Sequence, residues 1–156
     1  LAAIGTAETV HVGARGENIT IIFVNNAIYG MTGGQMAPTT LLGQVTTTSP
    51  YGRIREIQGN PIRVCEMVST LDGVAYAERV SVDCVKNVVN AKKAIKKGFM
   101  MQQEKKGLSI IEVLSTCPTN WGLSPEKAID WLRENMIEHY PLGVYKDITA
   151  AEEAVK

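Results

Sequence analysis

The sequence has few cysteines and histidines, no excess of charge of either sign, and no long hydrophobic run. Its three cysteines are odd in number and widely spaced, which favours the reduced thiols of a cytoplasmic protein over a disulfide framework. The 16 basic and 16 acidic residues balance, so no long-range field favours nucleic acid or an anionic membrane. No apolar stretch approaches the roughly twenty residues that cross a bilayer. We therefore expect neither a nucleic-acid nor a membrane partner.

The familiar sets of catalytic side chains are absent as well. His11 and His139 are isolated, and neither accompanies Asp or Cys at the spacing of metal ligands. The sequence contains no Ser-His-Asp arrangement and no paired carboxylates. A lysine cluster at positions 92, 93, 96, 97, 105 and 106 is interpreted as a solvated helix face rather than a docking patch, because aromatic residues do not interleave with it. This pattern is consistent with chemistry supplied by a cofactor.

The sequence does contain short apolar runs that alternate with helical patterns. Ile19–Val24, Val74–Val80 and the run LSIIEVLS after Gly107 are predicted strands. Helices are predicted over Pro61–Leu71 and after residues 81–83. The second of these helices should bury a stripe of apolar residues: Val85, Val88, Val89 and Ile95. The length suits one domain, and the alternation predicts a doubly wound, mainly parallel α/β sheet.

The segment Ile19–Gln35 is the most informative part of the chain. Its first half is a β-branched, apolar run typical of a parallel strand buried on both faces, although a buried helix segment can look the same. Two amides and a glycine-rich turn follow, where ligands sit in open α/β sheets. Glycines let backbone N–H groups approach a phosphate, and the Asn26 amide oxygen is a ligand type that Mg²⁺ accepts. A polar turn without a ligand is the alternative.

Two later segments are predicted to lie near this turn. Residues 36–51 form a long loop without periodicity, which is either a flap over a ligand or partner, or a solvated surface segment. Cys117 follows a predicted strand directly, so it should emerge at the same sheet edge as Asn26. Pro118 stops the strand ladder there, and Trp121 could cover the site. A lone cysteine at such a place is either a small buried side chain or a ligand.

Three segments together resemble a known family. The sequence VNNAIYGMTGGQ at 24–35 is followed by TTTSPYGR at Thr46–Arg53 and by LSTCPTNWG at Leu114–Gly122. In this order they are similar to the thiamine-diphosphate-binding beta subunit of 2-oxoacid:ferredoxin oxidoreductases of the 2-oxoglutarate and 2-oxoisovalerate type. The resemblance covers essentially the whole chain, and the combination is far more specific than any one segment.

The resemblance implies an α/β fold of the thiamine-diphosphate-binding type. In that family a Gly-Asp-Gly-Asp motif ends the strand before the first helix, and LAAIG at the start of this chain resembles the sequence that follows the motif. We therefore expect residues 1–156 to be the C-terminal part of one such domain, without its first strand or strands and the first acidic magnesium ligand. We expect this part to be inactive by itself.

The resemblance also implies roles for single residues. Asn26 would bind Mg²⁺ through its side chain and Ile28 through its backbone carbonyl, while Thr32 and Gly33 would meet the diphosphate. The other cofactor-binding residues that it implies are Tyr29, Gly30 and Met31. By itself Tyr29 could equally pack on the strand end.

For the cysteines, the resemblance makes Cys117 one of the four ligands of a [4Fe–4S] cluster whose other three ligands lie upstream. Clusters of this type need four thiolates, so this chain cannot hold one alone. Cys65 and Cys84 match no ligand position and are interpreted as structural.

The activity that the resemblance implies is oxidative decarboxylation of a 2-oxoacid to an acyl-CoA, with electrons passed to ferredoxin through the cluster. The implied partners are an alpha subunit, with or without gamma and delta subunits, ferredoxin, the 2-oxoacid and coenzyme A. The carboxylate that activates the cofactor is expected on the alpha subunit, so this chain has no predicted catalytic acid or base. A non-oxidative thiamine-diphosphate-dependent decarboxylase or synthase, which does not need Cys117, and a non-catalytic α/β binding module remain alternatives.

Overall fold

The computed structural model describes residues 1–150, in which strands and helices alternate. The helices are α1 (Thr6–Arg15), α2 (Arg55–Gln58), α3 (Val64–Ser69), α4 (Val85–Gln103), α5 (Pro118–Trp121), α6 (Pro125–Trp131) and α7 (Ile137–His139), with a π-helical turn (Leu132–Met136) between the last two. The strands are β1 (Thr20–Asn25), β2 (Val74–Ser81), β3 (Leu108–Leu114) and β4 (Gly143–Asp147). Within this described range, no helix combines the length and apolar character needed to span a bilayer.

The strands form one sheet in the order β1-β3-β2-β4. β1, β3 and β2 run parallel, and β4 is antiparallel to β2. Every residue of β3 is buried, as expected for a central strand whose two faces are both covered. The predicted mainly parallel α/β sheet is confirmed, whereas β4 was not predicted.

Helices cover both faces of the central strand. Successive residues of a strand point to opposite faces. Ile110 accordingly packs with Val64 and Val68 of α3, while Ile111 packs with Ala91 and Ala94 of α4 on the other side. This arrangement is the doubly wound packing that the alternating pattern predicts.

The buried face of α4 differs from the predicted one. Val85 and Val89 are 83% and 45% exposed, and the buried residues are Ala91, Ala94, Gly98 and Met101. Small residues allow the helix to lie close to the sheet, since a Cβ added at Gly98 would stand 2.6 Å from Cδ1 of Ile111. The predicted stripe is wrong for Val85 and Val89, whereas Val88 is half-buried and Ile95 packs against the core. Close approach, rather than apolar bulk, decides which side of α4 faces β3.

β1 also departs from its predicted burial. Ile21 and Phe23 pack on the core, but Ile22 and Val24 are 43% and 57% exposed. At the start of the face that carries Ile22, the Thr20 hydroxyl donates to the Gly98 carbonyl of α4 at 3.1 Å. Among residues 1–150, the prediction that β1 is buried on both faces is therefore wrong.

Asp83 ties the end of β2 to two helical elements. Its carboxylate accepts hydrogen bonds from Nδ2 of Asn87 at 2.7 Å, from Nε of Arg133 at 2.9 Å and from the Ser81 hydroxyl. Burial opposes its ionisation, but hydrogen bonds from Asn87, Ser81 and Arg133 outweigh burial and lower the pKa of Asp83 to about 2. Since this pKa lies below the unfolded value of about 3.9, the stabilisation is present above that value and is lost as the pH falls toward 2.

We expect Asp83→Asn to flatten the pH dependence of the unfolding free energy between about pH 4 and pH 2, because the amide does not ionise. Urea denaturation at a series of pH values measures this. Parallel profiles for the wild type and Asp83→Asn would show that the hydrogen bonds to Asp83 do not depend on its charge.

Candidate functional site

The carboxyl ends of the three parallel strands meet at one edge of the sheet. Leu114, at the end of β3, is paired with Asn25 of β1 on one side and with Ser81 of β2 on the other. The segments that leave these strands therefore start side by side. Asn26 and Cys117 emerge at this edge, which agrees with the position predicted for both.

The turn after β1 is held by side chains of its own residues. Oδ1 of Asn25 accepts a hydrogen bond from the Ala27 N–H at 3.0 Å, and Oδ1 of Asn26 lies 3.4 Å from the Ile28 nitrogen. Ala27 adopts φ 56°, in the left-handed region, and is fully buried. This conformation reverses the chain directly after Asn26, so the Asn26 side chain and the Ile28 backbone belong to one tight turn.

The glycines of the turn have different roles. A Cβ added at Gly30 would stand 3.0 Å from Sγ of Cys117, and one at Gly34 would stand 2.8 Å from Oδ1 of Asn120. Asn120 Nδ2 also donates to the Gly30 carbonyl at 3.2 Å and to Cys117 Sγ at 3.3 Å. Gly33, with φ 111°, has open space around most of its Cβ direction. Gly30 and Gly34 thus allow α5 to pack on the turn, whereas Gly33 is exposed and its N–H donates to the Gly30 carbonyl at 3.3 Å.

Asn120 was not identified from the sequence. It lies in the four-residue helix α5 and joins the turn to the cysteine across 90 positions of the chain. The segment Leu114–Gly122 was singled out, but nothing in its pattern distinguishes Asn120 from a surface amide.

The remaining predicted cofactor residues are more exposed. Tyr29 is 43% exposed and Met31 is fully exposed. The Thr32 hydroxyl lies 2.5 Å from Oε1 of Gln35, which closes the turn from within. Ile28, in contrast, is only 4% exposed. The structure therefore brings Asn26, Ile28 and Gly30 together and leaves Met31 directed to solvent.

A cavity of about 120 Å³ opens beside the turn. One wall is formed by the end of β1 and the turn, including Asn26 and Ile28, and the other by residues 37–39 of the following loop. Within this loop Thr46 and Ser49 are 5% and 1% exposed, and their hydroxyl oxygens lie 2.6 Å apart. The first part of the loop is thus a wall of the cavity, and the segment at 46–49 is not fully solvated.

A buried charged network lies directly beneath the turn. Nδ2 of Asn25 donates to Oε1 of Glu112 at 2.8 Å, and Oε2 of Glu112 pairs with Arg79 at 2.9 Å. Neither charged side chain is exposed. Arg79 also pairs with Glu66 of α3 at 2.5 Å. The sequence analysis did not identify this network, although charged residues inside two otherwise apolar strands, Arg79 beside Glu78 in β2 and Glu112 in β3, were a signal that could have found it.

The other two cysteines differ in burial and position along the chain. Cys65 is fully buried, and burial together with the nearby Glu112 raises the pKa of its thiol. Cys84 is half-buried at the start of α4. All three thiols are free.

The donor atoms at the edge suit a magnesium-bound diphosphate in part. Asn26 and Ile28 offer an amide and a carbonyl oxygen, which are hard ligands of the kind that Mg²⁺ prefers. Gly33 is exposed and has no side chain, so an anionic group can approach the turn closely there. No group of three or more His, Cys, Asp or Glu side chains within residues 1–150 could hold a metal ion. The described residues therefore offer two oxygen donors, from Asn26 and Ile28, and the single thiol of Cys117 at this edge.

Comparison with known proteins identifies the class to which this fold and site belong. Residues 1–113 match the family model described as thiamine pyrophosphate enzyme, C-terminal TPP binding domain. The chain belongs to this family. The fold agrees, since the structure superposes with a TM-score of 0.68 on a 2-oxoglutarate:ferredoxin oxidoreductase from Magnetococcus marinus, at 20% sequence identity and covering 93% of this chain and 52% of that one.

The names of individual relatives are more specific than the description of the family. The chain is 44% identical to the ketoisovalerate oxidoreductase subunit VorA of Methanothermobacter thermautotrophicus, covering 98% of this chain and 32% of that protein. It is 38% identical to the 2-oxoglutarate synthase subunit KorB of Methanocaldococcus jannaschii, covering 97% of this chain and 53% of that one. The chain thus spans between about a third and a half of the length of these relatives.

Proposed function

We propose that this chain is part of the beta subunit of a 2-oxoacid:ferredoxin oxidoreductase and forms the C-terminal part of its thiamine-diphosphate-binding domain. The family match and the names of the relatives support the cofactor and the reaction class. The proposed substrates are a 2-oxoacid, coenzyme A and oxidised ferredoxin, and the products are an acyl-CoA, carbon dioxide and reduced ferredoxin. The three free thiols are compatible with a cytoplasmic location.

The contact between Gly30 and Cys117 carries the proposal. Both residues follow parallel strands at the same edge. The Cys117 thiol packs against Gly30, and Asn120 donates a hydrogen bond to this thiol. A decarboxylase or synthase without electron transfer has no use for a thiol at the glycine-rich turn. This contact therefore favours the oxidoreductase over the non-oxidative thiamine enzymes. Cys117 is proposed as one ligand of a [4Fe–4S] cluster whose other ligands come from elsewhere in the complete protein.

The residues of the turn have distinct proposed tasks. The Asn26 amide oxygen and the Ile28 carbonyl hold Mg²⁺, and Thr32 and Gly33 bind the diphosphate. When bound, thiamine diphosphate supplies a carbon nucleophile and an electron sink for decarboxylation of a 2-oxoacid. Tyr29, Gly30 and Met31 flank the cofactor. Because Met31 is fully exposed, its contacts with cofactor or substrate require a covering surface, which we assign to the alpha subunit.

Substitution of Asn26 tests the magnesium assignment. In the full-length assembled enzyme, Asn26→Ala should weaken binding of Mg²⁺–thiamine diphosphate roughly 10- to 100-fold, because one oxygen ligand is lost and water replaces it. Asn26→Asp keeps an oxygen at this position and should retain most of the affinity. Calorimetric titration measures both variants.

A matched control is available on α4. Asn90 is exposed and lines a different cavity, so Asn90→Ala should bind the cofactor as the wild type does. Equal affinities for the wild type and Asn26→Ala would contradict the assignment of Asn26. A full-length wild type that binds no thiamine diphosphate would favour the non-catalytic module instead.

A further inference from the structure

Four successive carbonyl groups at residues 37–40, the first three of which line the cavity, accept hydrogen bonds from buried side chains. Nη1 of Arg53 donates to the carbonyls of Thr40 at 2.6 Å, Pro38 at 2.9 Å and Ala37 at 3.5 Å. The Tyr140 hydroxyl donates to the fourth carbonyl, that of Thr39, at 2.8 Å. The segment at 37–40 is therefore fixed along its whole length by side chains from other parts of the chain.

The same guanidinium also binds the segment at the end of α2, residues 58–60. Nε of Arg53 donates to the Gly59 carbonyl at 3.0 Å, and Nη2 donates to those of Asn60 at 2.8 Å and Gln58 at 3.2 Å. Arg53 is 6% exposed, and burial lowers its pKa, but a guanidinium stays protonated at neutral pH. Carbonyl oxygens at six positions solvate this buried charge, so Arg53 joins residues 37–40 to residues 58–60.

Thr40 carries this constraint to the turn after β1. Its side chain is fully buried, accepts a hydrogen bond from the Ala37 N–H at 2.8 Å, and donates to the Ala27 carbonyl at 2.6 Å. The Ala27 N–H is held by Asn25 from the other side. Both backbone polar groups of Ala27 are thus hydrogen-bonded to side chains. These bonds stabilise its left-handed conformation, which is unfavourable for a residue with a Cβ. Because Ala27 lies between Asn26 and Ile28, its conformation sets how these two residues face each other.

We propose that Thr40 and Arg53 are positioning residues for the magnesium site. The hydrogen bonds from Arg53 to Thr40 and from Thr40 to Ala27 hold the turn in the one geometry in which the Asn26 and Ile28 oxygens share a cation. This inference rests on the proposed function and adds to it two residues that touch neither Mg²⁺ nor cofactor. Outer-shell partners of this kind typically change metal affinity 10- to 100-fold when they are removed.

An isosteric pair of variants at Thr40 tests the inference in the full-length assembled enzyme. At a fixed concentration of thiamine diphosphate, Mg²⁺ is titrated and cofactor binding is followed by calorimetry. Thr40→Val removes the hydroxyl and keeps the shape, so the half-saturating Mg²⁺ concentration should rise roughly tenfold. Thr40→Ser keeps the hydroxyl and should stay near the wild-type value.

Variants at Arg53 extend the test. Arg53→Gln should raise the half-saturating Mg²⁺ concentration at least as much as Thr40→Val, because six carbonyls lose their donor. Arg53→Lys should not restore it, since a single ammonium group cannot reproduce a fork that reaches two loop segments. If the Arg53 variants fail to fold, the Thr40 pair decides the question.

The possible outcomes separate this inference from the proposed function. A Thr40→Val protein with a lowered melting temperature but an unchanged Mg²⁺ requirement would show a purely structural role and overturn the inference, while the proposed function would stand. A wild-type enzyme that binds no thiamine diphosphate at any Mg²⁺ concentration would overturn the proposed function itself. A raised Mg²⁺ requirement in Thr40→Val that Thr40→Ser does not share would support the inference.

Discussion

Replacing Arg79 by methionine is expected to destabilise the protein by about 3–5 kcal/mol, the range found when one partner of a buried ion pair is removed. The guanidinium is completely buried, bonds Glu112 and Glu66, and lies over the rings of Tyr140 and Tyr145 at 5.1 and 4.9 Å. Methionine restores some apolar contact but leaves the Glu112 carboxylate buried without its cation. The change should also loosen the turn after β1, because Glu112 orients the side-chain amide of Asn25 and this amide holds the turn.

Urea denaturation of the purified protein measures the effect. If the dependence of the unfolding free energy on urea concentration is unchanged, the shift of the midpoint gives the change in stability. Arg15 is a suitable control: its side chain is 74% exposed, and Arg15→Met should change stability by less than about 1 kcal/mol. Removing both charges in Arg79→Met/Glu112→Met should recover part of the loss, since an apolar pair often replaces a buried ion pair at little cost. Equal midpoints for Arg79→Met and Arg15→Met would show that Glu112 is compensated by other groups.

Much of the sheet could be predicted because its strands are recognisable from their apolar, β-branched composition. The runs Val74–Val80 and LSIIEVLS are mainly apolar, and both are strands buried on two faces. Parallel strands placed side by side have their carboxyl ends at one edge. From that rule alone, Asn26 and Cys117 could be assigned to the same side of the sheet although 91 positions separate them along the chain.

The parts that could not be predicted depend on contacts that have no local signature. The face of α4 was assigned wrongly because alanine and glycine at 91, 94 and 98 bury less apolar surface than valine yet permit the closer approach. The predicted helix at 61–71 covers only Val64–Ser69. β4 is short and half-exposed, so it has no distinctive pattern. The six acceptors around Arg53 are backbone carbonyls, and the sequence gives no indication of which carbonyls lie near this side chain.

Cys117→Ser is expected to abolish or strongly weaken binding of the proposed [4Fe–4S] cluster in the full-length assembled enzyme. A serine oxygen matches iron–sulfur chemistry less well than a thiolate, and the cluster needs four such ligands. The fold should survive, because serine is nearly isosteric and can still accept the hydrogen bond that Asn120 donates to Sγ. Ferredoxin reduction should fall together with the iron content.

Iron analysis and the visible absorption spectrum measure the loss, and Cys84 provides the control. Cys84 is half-buried at the start of α4, so Cys84→Ser should keep both the iron and the spectrum of the wild type. Cys65 is unsuitable for this purpose because it is fully buried in the core, where a hydroxyl would need a new partner. If Cys117→Ser retained wild-type iron content and absorption, Cys117 would be a packed thiol. The contact with Gly30 would then no longer favour an oxidoreductase over a non-oxidative thiamine enzyme.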